Sequence, residues 1–207
     1  MALVKLNNRG VRSATTFGSI SGLGEMRFIK KLTSDGSDDD LTFIDGTDDV
    51  VLDDTYKEYL FTFNNIHPET DNKNFTFQGS TDSGSSYGVA ATTTYFQAYH
   101  REDGGVSGVG YDTVSDDAQS TSFLNLIAQV GNANDESCSG YLHLFNPSST
   151  TFVKHFISNM NMAAYNDYSF NVFKGGYFNT TSAIDAIQFK QSADEIQGGD
   201  ICLYGIN

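Results

Sequence analysis

Nine aspartates lie between positions 35 and 54, and they are the residues best suited to metal chemistry. Carboxylate oxygens in loops are ligands that Ca²⁺ prefers, and the ion needs about 6–8 oxygens. The candidate ligands are Asp35, Asp38, Asp39 and Asp40. The EF-hand pattern fails here, because counting from Asp35 puts Gly46 where a bidentate Glu is required. We favour a solvated acidic loop; the alternatives are a weak calcium site and a pair of glycosidase carboxylates.

Other reactive residues do not converge. The glycine-rich stretch 103–110 has no following Lys-Ser/Thr and is flanked by carboxylates, so it does not fit a phosphate loop. The sequence also has no Gly-x-Ser-x-Gly nucleophile elbow. A four-residue turn in the hairpin predicted at 141–157 would pair His143 with Phe152 and separate it from His155. We therefore expect structural histidines and a protein that is not an enzyme.

The two cysteines and two of the tyrosines can each be interpreted in two ways. Cys138 and Cys202 are interpreted as two buried free thiols, with one disulfide as the alternative. Tyr99 and Tyr111 lie near predicted loops and are candidate contacts for a glycan. Packing in the core or at an interface is the other use of these tyrosines, and the absence of Trp weakens the glycan interpretation.

Charge divides the chain into two parts. Residues 1–24 contain three bases and no acid, whereas 25–207 contain nine bases and all 26 acids, a net charge of −17. An acidic body disfavours nucleic acid as a partner. The first part has no helical or alternating period, which predicts an extended attachment arm. Its candidate contact residues are Leu3, Lys5, Leu6, Arg9, Arg12 and Phe17.

The chain has no recognisable targeting segment. Its first 14 residues lack the apolar core of a secretory signal, and no run approaches the roughly 20 apolar residues of a membrane span. We expect a soluble protein that is made in a reducing cytoplasm and does not insert into membranes. No cofactor is expected, apart from the weak calcium alternative.

Residue composition predicts many short strands. The chain has 20 Gly, two Pro and 27 Phe or Tyr. Alternation is clearest at 56–63, where Tyr59, Phe61 and Phe63 share one face. Residues 122–130 fit either a helix or a strand. About ten strands without long helices predict an all-β fold, an antiparallel jelly-roll-like β-sandwich over 25–207 behind the arm 1–24.

Four segments carry a resemblance to a known group of proteins. They are Met1–Ser13, Tyr56–Pro68, Cys138–Phe156 and the closing run Asn179–Asn207, which contains N-T-T-S-A-I and ends in L-Y-G-I-N. Together they resemble β-rich virion structural proteins of marine tailed bacteriophages. None of the four is a catalytic motif, so the resemblance implies no catalytic residue.

The resemblance implies a virion protein made in the host cytoplasm. An acidic body behind a basic, partly apolar arm fits a capsid-exterior decoration protein that docks on the particle through residues 1–24. We expect a homo-oligomer, specifically a trimer, whose partners are other virion proteins. The alternative is a tail-fibre or receptor-binding module that recognises host surface glycans.

Overall fold

The computed structural model describes residues 26–207. The arm 1–24 inferred from the sequence lies outside the described residues. Twelve strands are present: β1 (Met26–Thr33), β2 (Leu41–Ile44), β3 (Glu58–Pro68), β4 (Lys73–Ser80), β5 (Ala91–Arg101), β6 (Ser107–Tyr111), β7 (Leu124–Val130), β8 (Cys138–Phe145), β9 (Lys154–Ala164), β10 (Tyr168–Phe178), β11 (Ala186–Gln191) and β12 (Ile196–Ile206). No helix among the described residues is long and apolar enough to cross a membrane.

The strands form two antiparallel layers that join at one corner. The large sheet has the order β1-β12-β3-β8-β9-β10-β5-β6, and the small sheet has the order β2-β11-β4-β7. β7 meets β9 through a single residue pair, Val130 with Ala164. The small sheet covers one face of the large sheet. The predicted all-β, antiparallel, jelly-roll-like β-sandwich is thereby confirmed.

The core between the layers is aromatic. Tyr59, Phe61 and Phe63 of β3 are buried on the inward face, as their alternation predicts. Phe189 of β11 crosses from the small sheet and meets Phe61 and Phe63 edge to face, with ring centroids 5.2 Å apart in both pairs. Such aromatic pairs each contribute about 0.5–1.5 kcal/mol beyond the area they bury, so they hold the two layers together.

Two segments refine or correct what the sequence predicts. Residues 122–130, which fit a helix or a strand equally well, contain strand β7. The glycine-rich segment 103–110 is only partly a loop, because β6 begins at Ser107 and pairs with β5. Between β2 and β3, Val50 and Leu52 are buried, yet the segment 50–52 is irregular and pairs with no strand.

The hairpin of β8 and β9 is present, but its predicted register was wrong. His143 pairs with Ile157 and not with Phe152. The connection spans residues 146–153, because the hydroxyl of Ser149 accepts hydrogen bonds from the backbone N–H groups of Thr151 and Phe152 and prolongs the turn. Paired residues on antiparallel strands point to the same side, so both histidines of the hairpin lie on the outward face of the large sheet.

Candidate functional site

The outward side of the large sheet, on strands β3, β8, β9, β10, β5 and β6, carries many aromatic residues, and we call it the aromatic face. Pairing across five of these strands places the following outward residues in one row: Tyr141, Asn159, Phe173, Phe96 and Tyr111. The side chains of Phe173, Phe96 and Tyr111 are 40%, 46% and 53% exposed. Large aromatic side chains are therefore exposed to solvent on a regular sheet, where the pairing of the strands fixes the spacing between them.

A parallel row extends this apolar surface. Leu60, His143 and Ile157 are successive partners on β3, β8 and β9. Ile157 is about half exposed and lies at the centre of the sheet, with paired strands on both sides of β9. The two rows make one continuous patch, unlike the scattered single apolar residues that occur on most protein surfaces.

Charged side chains are nearly absent from the aromatic face. Glu58 is the only Asp, Glu, Lys or Arg at the outward positions of its six strands, although the chain contains 26 acids and 12 bases. The Glu58 carboxylate lies at one end of β3, 3.7 Å from Nδ1 of His143. Depletion of charge together with enrichment in aromatic residues is the composition of the core of a protein–protein interface.

Two features give the aromatic face its local geometry. The rings of Phe96 and Phe173 are nearly parallel, with centroids 5.1 Å apart and an interplanar angle of 9°. Parallel rings at this separation are offset-stacked, an arrangement that aromatic pairs prefer to a face-to-face sandwich. Beside them, Nδ2 of Asn159 donates to Oδ1 of Asn171 at 3.2 Å. The centre of the face is thus ordered and neutral, and each of the two stacked rings already covers part of the other.

The two candidate glycan residues do not come together. Tyr99 opposes Gly108 and points inward, where it packs against the ring of Phe170 at 5.9 Å. Tyr111 points outward on the aromatic face, and its hydroxyl donates to Asp116 at 2.7 Å, which raises the pKa of Tyr111. Because the two side chains lie on opposite faces of one sheet, they cannot line a single sugar site.

The aspartate loop is held by local hydrogen bonds. Asp35 accepts from the backbone N–H and the hydroxyl of Ser37, and these bonds lower the pKa of Asp35. Asp38 accepts from the backbone N–H of Asp35 at 2.9 Å. No three His, Cys, Asp or Glu side chains within residues 26–207 are placed to hold a metal ion, and this holds for Asp39 and Asp40 as well. The geometry therefore fits a solvated acidic loop and gives the calcium alternative no support.

The candidate arm residues Leu3, Lys5, Leu6, Arg9, Arg12 and Phe17 lie outside the described residues. Their role in attachment remains a prediction. Cys138 and Cys202 are both free and buried, which confirms the favoured interpretation over a disulfide. Burial raises the pKa of the Cys138 thiol, so this cysteine is not an activated nucleophile.

Sequence reasoning missed a buried ion pair. Lys174 of β10 is fully buried, and its Nζ lies 3.1 Å from Oδ2 of Asp117 and 2.9 Å from the carbonyl oxygen of Ser115. The ring of Tyr95 lies 5.6 Å from the same ammonium group. Burial lowers the pKa of Lys174, and Asp117 opposes that shift. The pair anchors the loop after β6 to the sheet.

A second lysine is buried without a carboxylate partner among the described residues. Nζ of Lys154 donates to the carbonyl oxygens of Phe152 at 3.0 Å and Thr180 at 3.2 Å. Desolvation lowers the pKa of Lys154. The sequence did contain a signal for both lysines, because each occupies an inward position in a strand whose other inward residues are mostly apolar.

Comparison with known proteins adds no relative from which a function could be transferred to this chain. No protein-family model, no curated protein and no solved structure matches this chain.

Proposed function

We propose that this protein is a non-enzymatic structural component of a tailed-phage virion, and that copies of it associate through the aromatic face. The single observation that carries the association is the nearly uncharged aromatic surface on an otherwise acidic body. The four segments that resemble phage virion proteins support the assignment to a virion. The expected position is the capsid exterior, with the arm 1–24 docked on the particle.

The size of the aromatic face supports association. Six strands about 4.8 Å apart and outward residues spaced by about 6.6 Å along β9 define a patch of roughly 25 by 30 Å. This is close to the ~800 Å² that each partner buries in a stable interface of standard size. The face is therefore large enough to form an interface of standard size.

Its chemistry favours a second copy of the same chain as the occupant. The amides of Asn159 and Asn171 bond to each other and to the backbone carbonyl oxygens of Val172 and Met160, so the centre of the face is neutral and leaves no amide donor without a partner. Aromatic side chains likewise pack on one another. The segment 25–207 has a net charge of −17, so copies repel each other except where carboxylates are absent. An isologous contact through this face would give a two-fold pair, whereas a trimer would bring the face against another surface of its neighbour.

The association is tested by light scattering coupled to size-exclusion chromatography. Wild-type protein is expected at two or three times the chain mass of 22.6 kDa. Ile157→Lys and Phe173→Lys place a charge at the centre of the aromatic face and should shift the protein to the mass of one chain. Phe152→Lys is the matched control, because Phe152 is 71% exposed in the loop between β8 and β9. A monomeric wild type, or a control as disruptive as Ile157→Lys, would contradict the proposal.

The virion assignment is tested separately. Particles are purified with an epitope-tagged copy of this protein and are imaged after antibody labelling. Label over the capsid supports the capsid-exterior position, label at the tail supports the tail-fibre alternative, and unlabelled particles contradict both. Deleting residues 1–24 should leave a folded body that no longer joins particles; normal incorporation would refute the role of the arm.

The glycan-binding alternative does not receive support from Tyr99 and Tyr111 together. It receives support from a different place in the structure, a cleft lined by amides that lies on the inner side of the large sheet.

A further inference from the structure

A cleft opens where the two sheets separate. Its volume is about 360 Å³, within the range of small-ligand sites. Its walls are the β3–β4 turn and the start of β4, residue Gln97 of β5, the loop after β6, and residues of β7 from near its start to near its end. The cleft exists because β7 pairs with β4 along one edge and meets β9 only at Val130.

A β-bulge shapes one wall of the cleft. The register between β4 and β7 shifts at Asn74, and Gln129 adopts a φ of +68°. The backbone N–H of Gln129 donates to Oδ1 of Asn74 at 3.1 Å, which holds this conformation. A non-glycine residue with positive φ is strained, and bulges of this kind re-aim side chains near binding sites.

The lining of the cleft is rich in carboxamides. Five of its nine residues are Asn or Gln: Asn72, Asn74, Gln97, Asn125 and Gln129. Within residues 26–207, the side-chain amides of Gln97, Asn125 and Gln129 make no hydrogen bond to another residue, whereas amides such as Asn161 and Gln78 bond to backbone carbonyls. The cleft therefore concentrates donors and acceptors that the fold itself does not use.

The opposite wall is fixed in position. Asp112 accepts from the backbone N–H of Val114 and from the hydroxyl of Ser115, and the carbonyl oxygen of Ser115 in turn accepts from the buried Lys174. Val114, which is 88% exposed, adds an apolar contact at the rim. Both walls are thus held by bonds that do not involve the free amides, as a preformed site requires.

We propose that this cleft binds a neutral saccharide unit. A carboxamide donates and accepts, and so does each hydroxyl of a sugar, so the two are chemically matched. No Lys or Arg lines the cleft, and Asp112 repels anions, which disfavours phosphate and acidic sugars. A calcium ion needs about 6–8 oxygens, and Asp112 is the one carboxylate in the lining.

The cleft and the aromatic face are independent surfaces. Gln97 and Phe96 are neighbours on β5 and point to opposite sides of the sheet. A saccharide in the cleft would therefore not compete with a second copy on the aromatic face. The inference does not depend on the virion assignment, and its test can be made on the Ile157→Lys variant regardless of its oligomeric state.

The test uses saturation-transfer NMR with glucose, galactose, mannose and N-acetylglucosamine, together with an array of neutral and anionic glycans. At least one neutral saccharide is expected to bind. Asn125→Leu and Gln97→Leu each remove an amide from the cleft and should weaken binding tenfold or more. Gln197→Leu removes an exposed amide outside the cleft and should leave binding unchanged. Melting temperatures of all variants establish that they are folded.

Three outcomes would overturn the proposal. They are no signal from any neutral saccharide, binding restricted to anionic glycans, and binding that survives in both cleft variants. Absence of saccharide binding would not affect the proposed association through the aromatic face. A monomeric wild-type protein would likewise not affect the proposed saccharide site.

Discussion

The buried pair of Lys174 and Asp117 gives a prediction with a worked magnitude. Asp117→Ala removes the carboxylate and leaves the Lys174 ammonium without a charged partner at 0% side-chain exposure. Breaking a buried ion pair from one side costs about 3–5 kcal/mol, because the remaining charge stays desolvated. The Asp117 side chain is 17% exposed, so water has some access, and we expect the low end, about 3 kcal/mol.

Lys174→Met, which changes the other member of the pair, should lower the free energy of unfolding by less than Asp117→Ala does. Lys174→Met keeps the aliphatic volume and removes the buried charge, and Asp117 can still be solvated. The carbonyl oxygen of Ser115 loses its donor, which costs about 1–2 kcal/mol. The double variant should resemble Lys174→Met alone, so the thermodynamic cycle should give a coupling free energy of about 3 kcal/mol, the full cost of Asp117→Ala.

Dependence on pH supplies an independent check. The folded-state pKa of Lys174 is already lowered by burial, and loss of Asp117 removes the strongest of the groups that oppose this shift, leaving only Asp116 and Asp112 to do so. At pH values between the lowered pKa of Lys174 in the folded protein and its pKa near 10.5 in the unfolded chain, the unfolded chain binds more protons than the folded one. The stability of Asp117→Ala should therefore rise as the pH increases through this window, relative to the double variant, which lacks this lysine.

The assay is urea unfolding followed by far-ultraviolet circular dichroism at several pH values. A loss below about 1 kcal/mol for Asp117→Ala would refute the reasoning, because a desolvated unpaired ammonium should cost more than that. So would a double variant no more stable than Asp117→Ala, since the penalty would then not come from Lys174.

Two further predictions concern packing and thiol chemistry. A Cβ on Gly140 would meet the backbone oxygen of Asn159, so Gly140→Ala should lower the free energy of unfolding by about 2 kcal/mol. Gly110 has open space where its Cβ would lie, so Gly110→Ala should change the free energy of unfolding little. Equal effects of the two substitutions in urea unfolding would contradict this packing. Cys138 and Cys202 should resist Ellman's reagent in the native protein and release two equivalents of thiol in denaturant; rapid native reaction of Cys138 would contradict its burial.

Much of the fold could be predicted from the sequence because the local signals are strong. Alternation on β3 predicts the inward face correctly, since Tyr59, Phe61 and Phe63 repeat with the two-residue period of a strand. The hairpin of β8 and β9 is likewise predicted by its two apolar runs and intervening turn residues. The register of this hairpin is not predicted, because hydrogen bonds to the hydroxyl of Ser149 lengthen the turn. The spacing of apolar residues does not reveal such side-chain hydrogen bonds.

The candidate site was less accessible to sequence reasoning. The aromatic face is assembled from single residues on several strands, and only the strand order brings Phe96 beside Phe173. The same holds for the cleft, where Asn74 and Asn125 belong to different segments of the chain. Tyr99 and Tyr111 illustrate the opposite error, because proximity in sequence did not reveal that they point to opposite sides of the sheet.

The strand order also has a consequence for how fast the protein folds. β12 lies between β1 and β3, and β11 lies between β2 and β4, so each sheet joins strands that are more than 100 residues apart in the chain. Such long loops must close before their contacts stabilise the sheet, which predicts refolding on a timescale of milliseconds to seconds or slower. Until β12 is in place, the apolar edge of β3 remains open to pairing with other chains, so refolding yield should fall as protein concentration rises.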